Sequence, residues 1–144
     1  MRIVSGKYKG RAINPPRNLR ARPTTDFAKE NLFNVLGNLV DFEECDVLDL
    51  FAGTGSISYE FASRGARSVT SVEINPVHYD FIRSTARQLG IDNLYAVKAN
   101  VFLYLRSVPS SSTSFFRTPR MTFRAARRSS IWSSEAICCV PAGC

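Results

Sequence analysis

No stretch of the 144 residues approaches the ~18 consecutive apolar positions that a membrane helix needs. The opening Met1-Arg2-Ile3 is not expected to begin a signal peptide. Cysteine is scarce, and three of the four (Cys138, Cys139, Cys144) fall in the last seven residues. Cysteines clustered that way tie nothing together and are not read as metal ligands, so a reducing, cytoplasmic setting is expected. Histidine occurs once, at His78; it falls on a predicted helix and is expected at the surface rather than in catalysis. No internal repeat is evident. Apolar residues make up 44% and charged residues 22%, enough for one ordinary domain with a core and too ordered a composition for wholesale disorder.

Acidic residues are absent from the first 22 positions, which hold seven basic ones: Arg2, Lys7, Lys9, Arg11, Arg17, Arg20 and Arg22. Residues 23–106 carry seven basic against eleven acidic residues, and residues 107–144 carry five arginines against Glu135. The net charge of +7 is therefore concentrated at the two ends. A basic arm beside a mildly acidic body suggests a polyanion docked at one end.

The body alternates strand and helix patterns. In residues 1–13, Ile3, Val4, Tyr8 and Ile13 alternate with basic residues around Gly6 and Gly10, which predicts a short hairpin with one cationic face. Thr24 or Thr25 can cap a helix with Asp26 in its first turn and Phe27, Leu32, Val35, Leu36 and Leu39 as its apolar stripe. Asp46 to Leu50 reads as a strand, Ser56 to Arg64 as a helix ended by Gly65, and Val69 to Val72 as a second strand ending at Glu73. Asn75-Pro76 opens a helix that runs to Gly90, and Leu94 to Val97 is a third strand. This order predicts an α/β, doubly wound parallel sheet with strands buried on both faces.

Ligands bind such sheets outside the carboxyl ends of the strands. Asp49, Gly53 and Gly55 belong to the first such end, and Glu73 to the second, 18 residues beyond Gly55. The glycines allow close approach of a flat ligand, and the glutamate can accept from both hydroxyls of a ribose. A dinucleotide site would need a third glycine where Ser58 stands. The acid at Asp49 repels a pyrophosphate and suits the ammonium group of an amino acid. A nucleoside with an amino-acid tail, S-adenosylmethionine, satisfies both demands. Asn100, after the third strand, could accept from an adenine amino group or be a polar turn residue.

The runs Arg2 to Arg11, Arg22-Pro23-Thr24-Thr25-Asp26, Glu30 to Asn34 and Val47 to Gly55 occur in order. Together they closely resemble the bacterial methyltransferases that modify guanine N2 in 16S ribosomal RNA, over roughly residues 1–106. The resemblance implies a class I methyltransferase (Rossmann-like) fold with an N-terminal β-hairpin that contacts RNA, and S-adenosylmethionine as donor. It implies a cofactor-binding set of Thr24, Thr25, Asp49, Phe51, Ala52, Gly53, Gly55, Glu73 and Asn100. The partner implied is 16S ribosomal RNA or the small ribosomal subunit, met by a monomer with no membrane, through the seven basic residues of the arm. Such cations position phosphates without reading sequence.

The last third lacks what this family needs. Guanine N2 must be oriented before it attacks a sulfonium methyl group. The family does this with Asp-Pro-Pro-Tyr after the fourth strand, where a carboxylate and a carbonyl accept from the amine and the ring stacks on the base. No such tetrapeptide occurs here; Ser110 to Ser114 stand where an apolar strand should run. Reading the codons permitted for Phe116 to Thr122 one frame over yields Ser-Asp-Pro-Pro-Tyr-Asp, which puts the motif at Thr118–Met121 in another frame. The same operation on Ser111 to Phe116 permits Phe-Asp-Ile-Ile-Phe, an apolar strand leading into it. Residues 1–22 are thus expected as a basic arm, 23–106 as the cofactor-binding core, and 107–144 as an out-of-frame tail. The sheet is expected to be truncated or disrupted after about residue 106, with no catalytic residue present. The alternatives are another nucleic-acid amino-methyltransferase, or a non-catalytic nucleotide- or RNA-binding fragment.

Overall fold

A computed structural model describes residues 1–19, 24–107 and 137–141. Its elements are α1 (Asp26–Gly37), a 3-10 turn (Phe42–Glu44), β1 (Cys45–Asp49), α2 (Ser56–Ser63), β2 (Ser68–Glu73), α3 (Pro76–Leu89), β3 (Leu94–Lys98), α4 (Val101–Ser107) and β4 (Ile137–Pro141). The strands form one sheet in the order β3-β2-β1-β4. β1 pairs with β2, and β2 with β3, in parallel. This is the α/β arrangement expected of the body.

Local chemistry accounts for α1, α3 and α4. Thr25 caps α1, its hydroxyl accepting from Ala28 N at 3.2 Å. Asn75 caps α3 by accepting from Val77 N at 2.9 Å, with Pro76 at the first helical position, and Gly90 closes it in the left-handed conformation. Asn100 caps α4, an element the sequence reading did not contain; its side-chain oxygen accepts from Phe102 N at 2.9 Å.

The tail was expected to hold no regular element, yet residues 137–141 form β4, which pairs antiparallel with β1 from Cys45↔Pro141 to Asp49↔Ile137. An unpaired strand edge offers a row of free amides and carbonyls, and Ile137 to Val140 is a short apolar run able to pair with it. The open edge of β1 is thereby closed by a strand of the opposite sense.

Burial on both sheet faces is also corrected. Val47, Asp49, Val69, Ser71 and Leu94 share the face under the helices and are buried. On the other face Leu48 and Thr70 are half-buried and Tyr95 is exposed. Val72 on that face is buried, so the second face is closed only in part among the described residues.

The core gathers Phe33 of α1, Phe42 of the 3-10 turn and Phe61 of α2. The Phe33 and Phe61 rings meet edge-on at 4.6 Å, and Phe42 lies 5.8 Å from Phe61. The stripe read on α1 is kept only at Leu32 and Leu36, which pack half-buried against the core. Its buried residues are Lys29 and Phe33, while Phe27, Val35 and Leu39 are exposed. Lys29 can be buried because its ammonium group meets Asp26, Glu60 and the carbonyl of Arg2.

The N-terminal arm folds back on itself through an Arg2↔Ala12 bridge, with Ile3 N donating to Arg11 O at 3.1 Å and Ile13 N to Met1 O at 2.9 Å. Ile3, Tyr8 and Ile13 enter the core, and Lys7, Lys9 and Arg11 remain exposed. The hairpin and its cationic face are therefore present, as a single bridge with a turn rather than two extended strands.

Candidate functional site

The loop after β1 turns sharply enough to bring Gly55 N to Ala52 O at 2.6 Å, and α2 starts at once. Gly55 has a φ of +77°, and a Cβ there would lie 3.0 Å from both Tyr59 and Ile82. Only glycine fits. Around this turn, Ala52 N donates to Val72 O at 3.2 Å and so stitches the loop to β2.

Glu73, at the carboxyl end of β2, spans the gap between the two strand ends. Its Oε2 accepts from Gly53 N at 2.9 Å and its Oε1 from Asn75 N at 2.8 Å. Both carboxylate oxygens are thus aimed at loop backbone at the mouth of the sheet. His78 does not stand at the surface as expected: its side chain is 14% exposed, with Nδ1 3.8 Å from Glu73 Oε2. The first turn of α3 follows directly on Glu73, which folds the ring back over the carboxylate.

Asp49 lies deeper. It is buried under α2, where its Oδ2 accepts from the Ser58 hydroxyl at 2.6 Å, and Ser58 Oγ accepts from the Ser71 hydroxyl at 2.7 Å. Ser58, the residue in the third-glycine position, is therefore the hydrogen-bond donor that holds the acid.

A cleft of about 90 Å³ opens between the strand ends, lined by Leu50, Phe51, Val72, Glu73, Ile74, Asn100, Val101 and Phe102. Of the residues singled out in sequence, Phe51, Glu73 and Asn100 meet in this cleft. Gly53 reaches the site only through its amide on Glu73, while Asp49, Ala52 and Gly55 are buried and line no part of the cleft. Thr24 and Thr25 stand at the start of α1, on another element, with Thr25 engaged as the cap. The side-chain oxygen of Asn100 caps α4, the turn role its position also allowed. Leu50, Val72, Ile74, Val101 and Phe102 escaped the sequence reading. Each reads as strand core or as the start of the next element, and only their position after a strand end signals a wall. A larger open groove of about 470 Å³ runs over Gly37 to Phe42, before β1 and so at the far end of the sheet from these loops.

Among the arm's cations, Lys7, Lys9, Arg11 and Arg17 are exposed, and Arg2 pairs with Asp26 through Nε at 3.0 Å while staying largely exposed. Arg20 and Arg22 lie outside the described residues.

Residues 1–117 match the family described as Conserved hypothetical protein 95. The chain belongs to this family. It is 36% identical to ribosomal RNA small subunit methyltransferase D of Escherichia coli (strain K12), over 80% of the chain and 52% of that protein. Its identity to the protein of the same name from Buchnera aphidicola subsp. Baizongia pistaciae is 33%, over 83% of the chain and 60% of that relative. The chain thus spans about half the length of the curated relatives it matches. Among solved structures, an Escherichia coli protein described as a methyltransferase of unproven activity superposes with a TM-score of 0.64 at 28% identity, covering 73% of this chain and 55% of that one. A Thermus thermophilus structure gives a TM-score of 0.62 at 28% identity, over 74% and 59%. The fold is that of a methyltransferase of the Rossmann-like kind.

Proposed function

We infer that the cleft at the carboxyl edge of the sheet binds S-adenosylmethionine and that the lineage transfers its methyl group to guanine N2 of 16S ribosomal RNA. The observation that carries the cofactor reading is Glu73, held at the mouth of an apolar slot with both oxygens facing loop amides. Phe51, Ile74 and Phe102 offer walls for a flat base, and Glu73 offers acceptors for ribose hydroxyls. The cleft is smaller than the ~300 Å³ of an enclosing ligand pocket, so it would hold the nucleoside edge-on, with the rest of the cofactor over the glycine loop. S-adenosylmethionine would supply an electrophilic methyl group. The residues here would orient it, and Asp49 under α2 would add negative charge near the amino-acid end.

The exposed Lys7, Lys9, Arg11 and Arg17 support an RNA partner, as do the names of the relatives. Transfer itself needs the acceptors of Asp-Pro-Pro-Tyr, which this chain lacks. We expect it to bind the cofactor weakly, if at all, and to transfer no methyl group, and the shift in frame near residue 107 to be the cause. The matched residues end at 117, ten beyond that point.

Equilibrium dialysis with labelled S-adenosylmethionine tests the first part. Glu73→Gln should weaken binding by about tenfold or more, the loss typical of a hydrogen bond to a charged group. An unchanged Kd would end the cofactor reading. A chain restored to the other frame should methylate 16S RNA from cells lacking the enzyme, while the chain as written should not. Equal methylation by the two would overturn the frame argument and the role given to the missing tetrapeptide.

A further inference from the structure

Glu60 has no part in the site described above, yet among the described residues it is the most completely enclosed acid. It sits in the middle of α2 with no solvent exposure. Its Oε2 accepts from Val4 N at 2.9 Å, and its Oε1 accepts from Ser5 N at 3.0 Å and from Arg64 Nε at 3.1 Å. Lys29 Nζ lies 3.8 Å from Oε2 and also donates to the carbonyl of Arg2. One buried carboxylate thus gathers the arm, α1 and α2.

Ser63, one turn later on α2, continues the grip. Its hydroxyl donates to Ser5 O at 2.5 Å and accepts from Tyr8 N at 3.0 Å, and its carbonyl accepts from Lys7 N at 2.7 Å. Gly6 passes so close, at a φ of +84°, that a Cβ there would overlap the Ser63 carbonyl oxygen. Tyr8 Oη anchors the far side by donating to Gly90 O at 2.9 Å.

A buried ion pair is a poor device for stability alone, because a well-packed apolar substitute is often as stable. Its use is to specify one arrangement over others. Here the partners of the carboxylate are successive backbone amides, which fix the register of the arm on the helix. The same helix begins at Gly55 on the glycine loop. With a rise of ~1.5 Å per residue, the eight positions from Gly55 to Ser63 set a spacing of about 12 Å.

We propose that Glu60 is a positioning residue for RNA: it locks the basic arm onto the far end of α2, so that Lys7, Lys9 and Arg11 stand at a fixed distance from the cofactor loop. The proposal rests on the RNA-binding reading above and names what holds the cations in place.

The test uses the full chain, an RNA hairpin oligonucleotide as probe, and hydrogen exchange read at the arm amides. In Glu60→Ala, the amides of Val4, Ser5, Lys7 and Tyr8 should exchange at least about tenfold faster while those of β1 and β2 keep their protection. RNA binding should weaken about tenfold because the arm must now be ordered on binding. The Kd for S-adenosylmethionine should stay within about twofold, which general unfolding would not allow. Gly6→Ala attacks the same contact from the arm and should reproduce the pattern, and the double variant should be no worse than either single one. Should Glu60→Ala not fold, Gly6→Ala and the milder Glu60→Gln carry the same readouts. Unchanged exchange at Val4 and Ser5, or parallel loss of RNA and cofactor binding, overturns the proposal. Fast arm exchange with undiminished RNA binding overturns it too. If the unaltered chain fails to bind the hairpin in a salt-dependent way, the RNA reading itself falls, and that result is distinct from any of these.

Discussion

The two crossover helices make a controlled comparison, since each follows a strand of the same sheet and returns to the next. All eight residues of α2 are buried, whereas α3 buries three of its fourteen. α3 is held by signals within its own segment: Asn75 at the start, Pro76 in the first turn, Gly90 at the end. α2 starts on Gly55 with no side-chain cap. It is held instead by what surrounds it, with the sheet on one side and the N-terminal arm on the other. A helix can therefore be specified by its neighbours when its own ends say little.

The largest expected effect breaks α2 at its packing. Phe61 is fully buried between Phe33 and Phe42. Phe61→Ala should cost about 3–5 kcal/mol in a denaturant titration, the range for an aromatic removed from a packed core. On α3, Arg83 is exposed, and Arg83→Ala should stay within about 0.5 kcal/mol. Similar losses at both sites would mean that the two helices are not held differently.

The same contrast explains what could be read from the chain alone. α3 was legible because its caps are local. The glycine loop and Glu73 were legible because the spacing of strand ends is local as well. The buried side of α1 was not: a periodicity argument sends charge outward, so Lys29 reads as solvent-facing and Phe27 as core. Burial of Lys29 depends on Glu60, and burial of Glu60 depends on amides more than fifty residues earlier. No window of sequence contains that circuit. The apolar walls of the cleft were missed for a related reason, since Leu50 and Val101 share a surface only once β1 and β3 stand in one sheet. β4 was missed because a five-residue run in an aperiodic tail becomes a strand only against the free edge of β1.

A middle-sized effect sharpens the comparison from the other side. If α3 relies on its own signals, removing one should be felt directly. Asn75→Ala leaves Val77 N without its acceptor at 2.9 Å and should cost about 1 kcal/mol in thermal or chemical denaturation. Asn75→Ser, which keeps a capping oxygen, should recover most of that loss. A loss of several kcal/mol would instead mean that the cap also holds the backbone whose residue 75 N–H donates to Glu73 Oε1, and would tie the cap to the site.

The smallest effect concerns the turn that leads out of α2. Arg67 donates to Asp46 on β1 through Nε at 3.0 Å and again through its second nitrogen, and Ser68 Oγ donates to Asp46 Oδ1 at 2.7 Å. The hydrogen bond from Arg67 does most to hold the Asp46 carboxyl below its ordinary value, with that from Ser68 adding to it and desolvation opposing both. A carboxyl depressed on folding stabilises the folded state above its unfolded pKa and stops doing so as pH falls through its folded pKa. The contribution should therefore be fully present above about pH 4, near the unfolded value for aspartate, and fade below it. Both partners are substantially exposed, so salt should screen the effect and its size should be slight. Denaturant midpoints of the natural chain and of Asp46→Asn should differ at pH 7 and draw together below about pH 4. A gap that persists undiminished at low pH would show that Asp46 acts through packing, and that the exit from α2 is held by neighbours in the same way as its body.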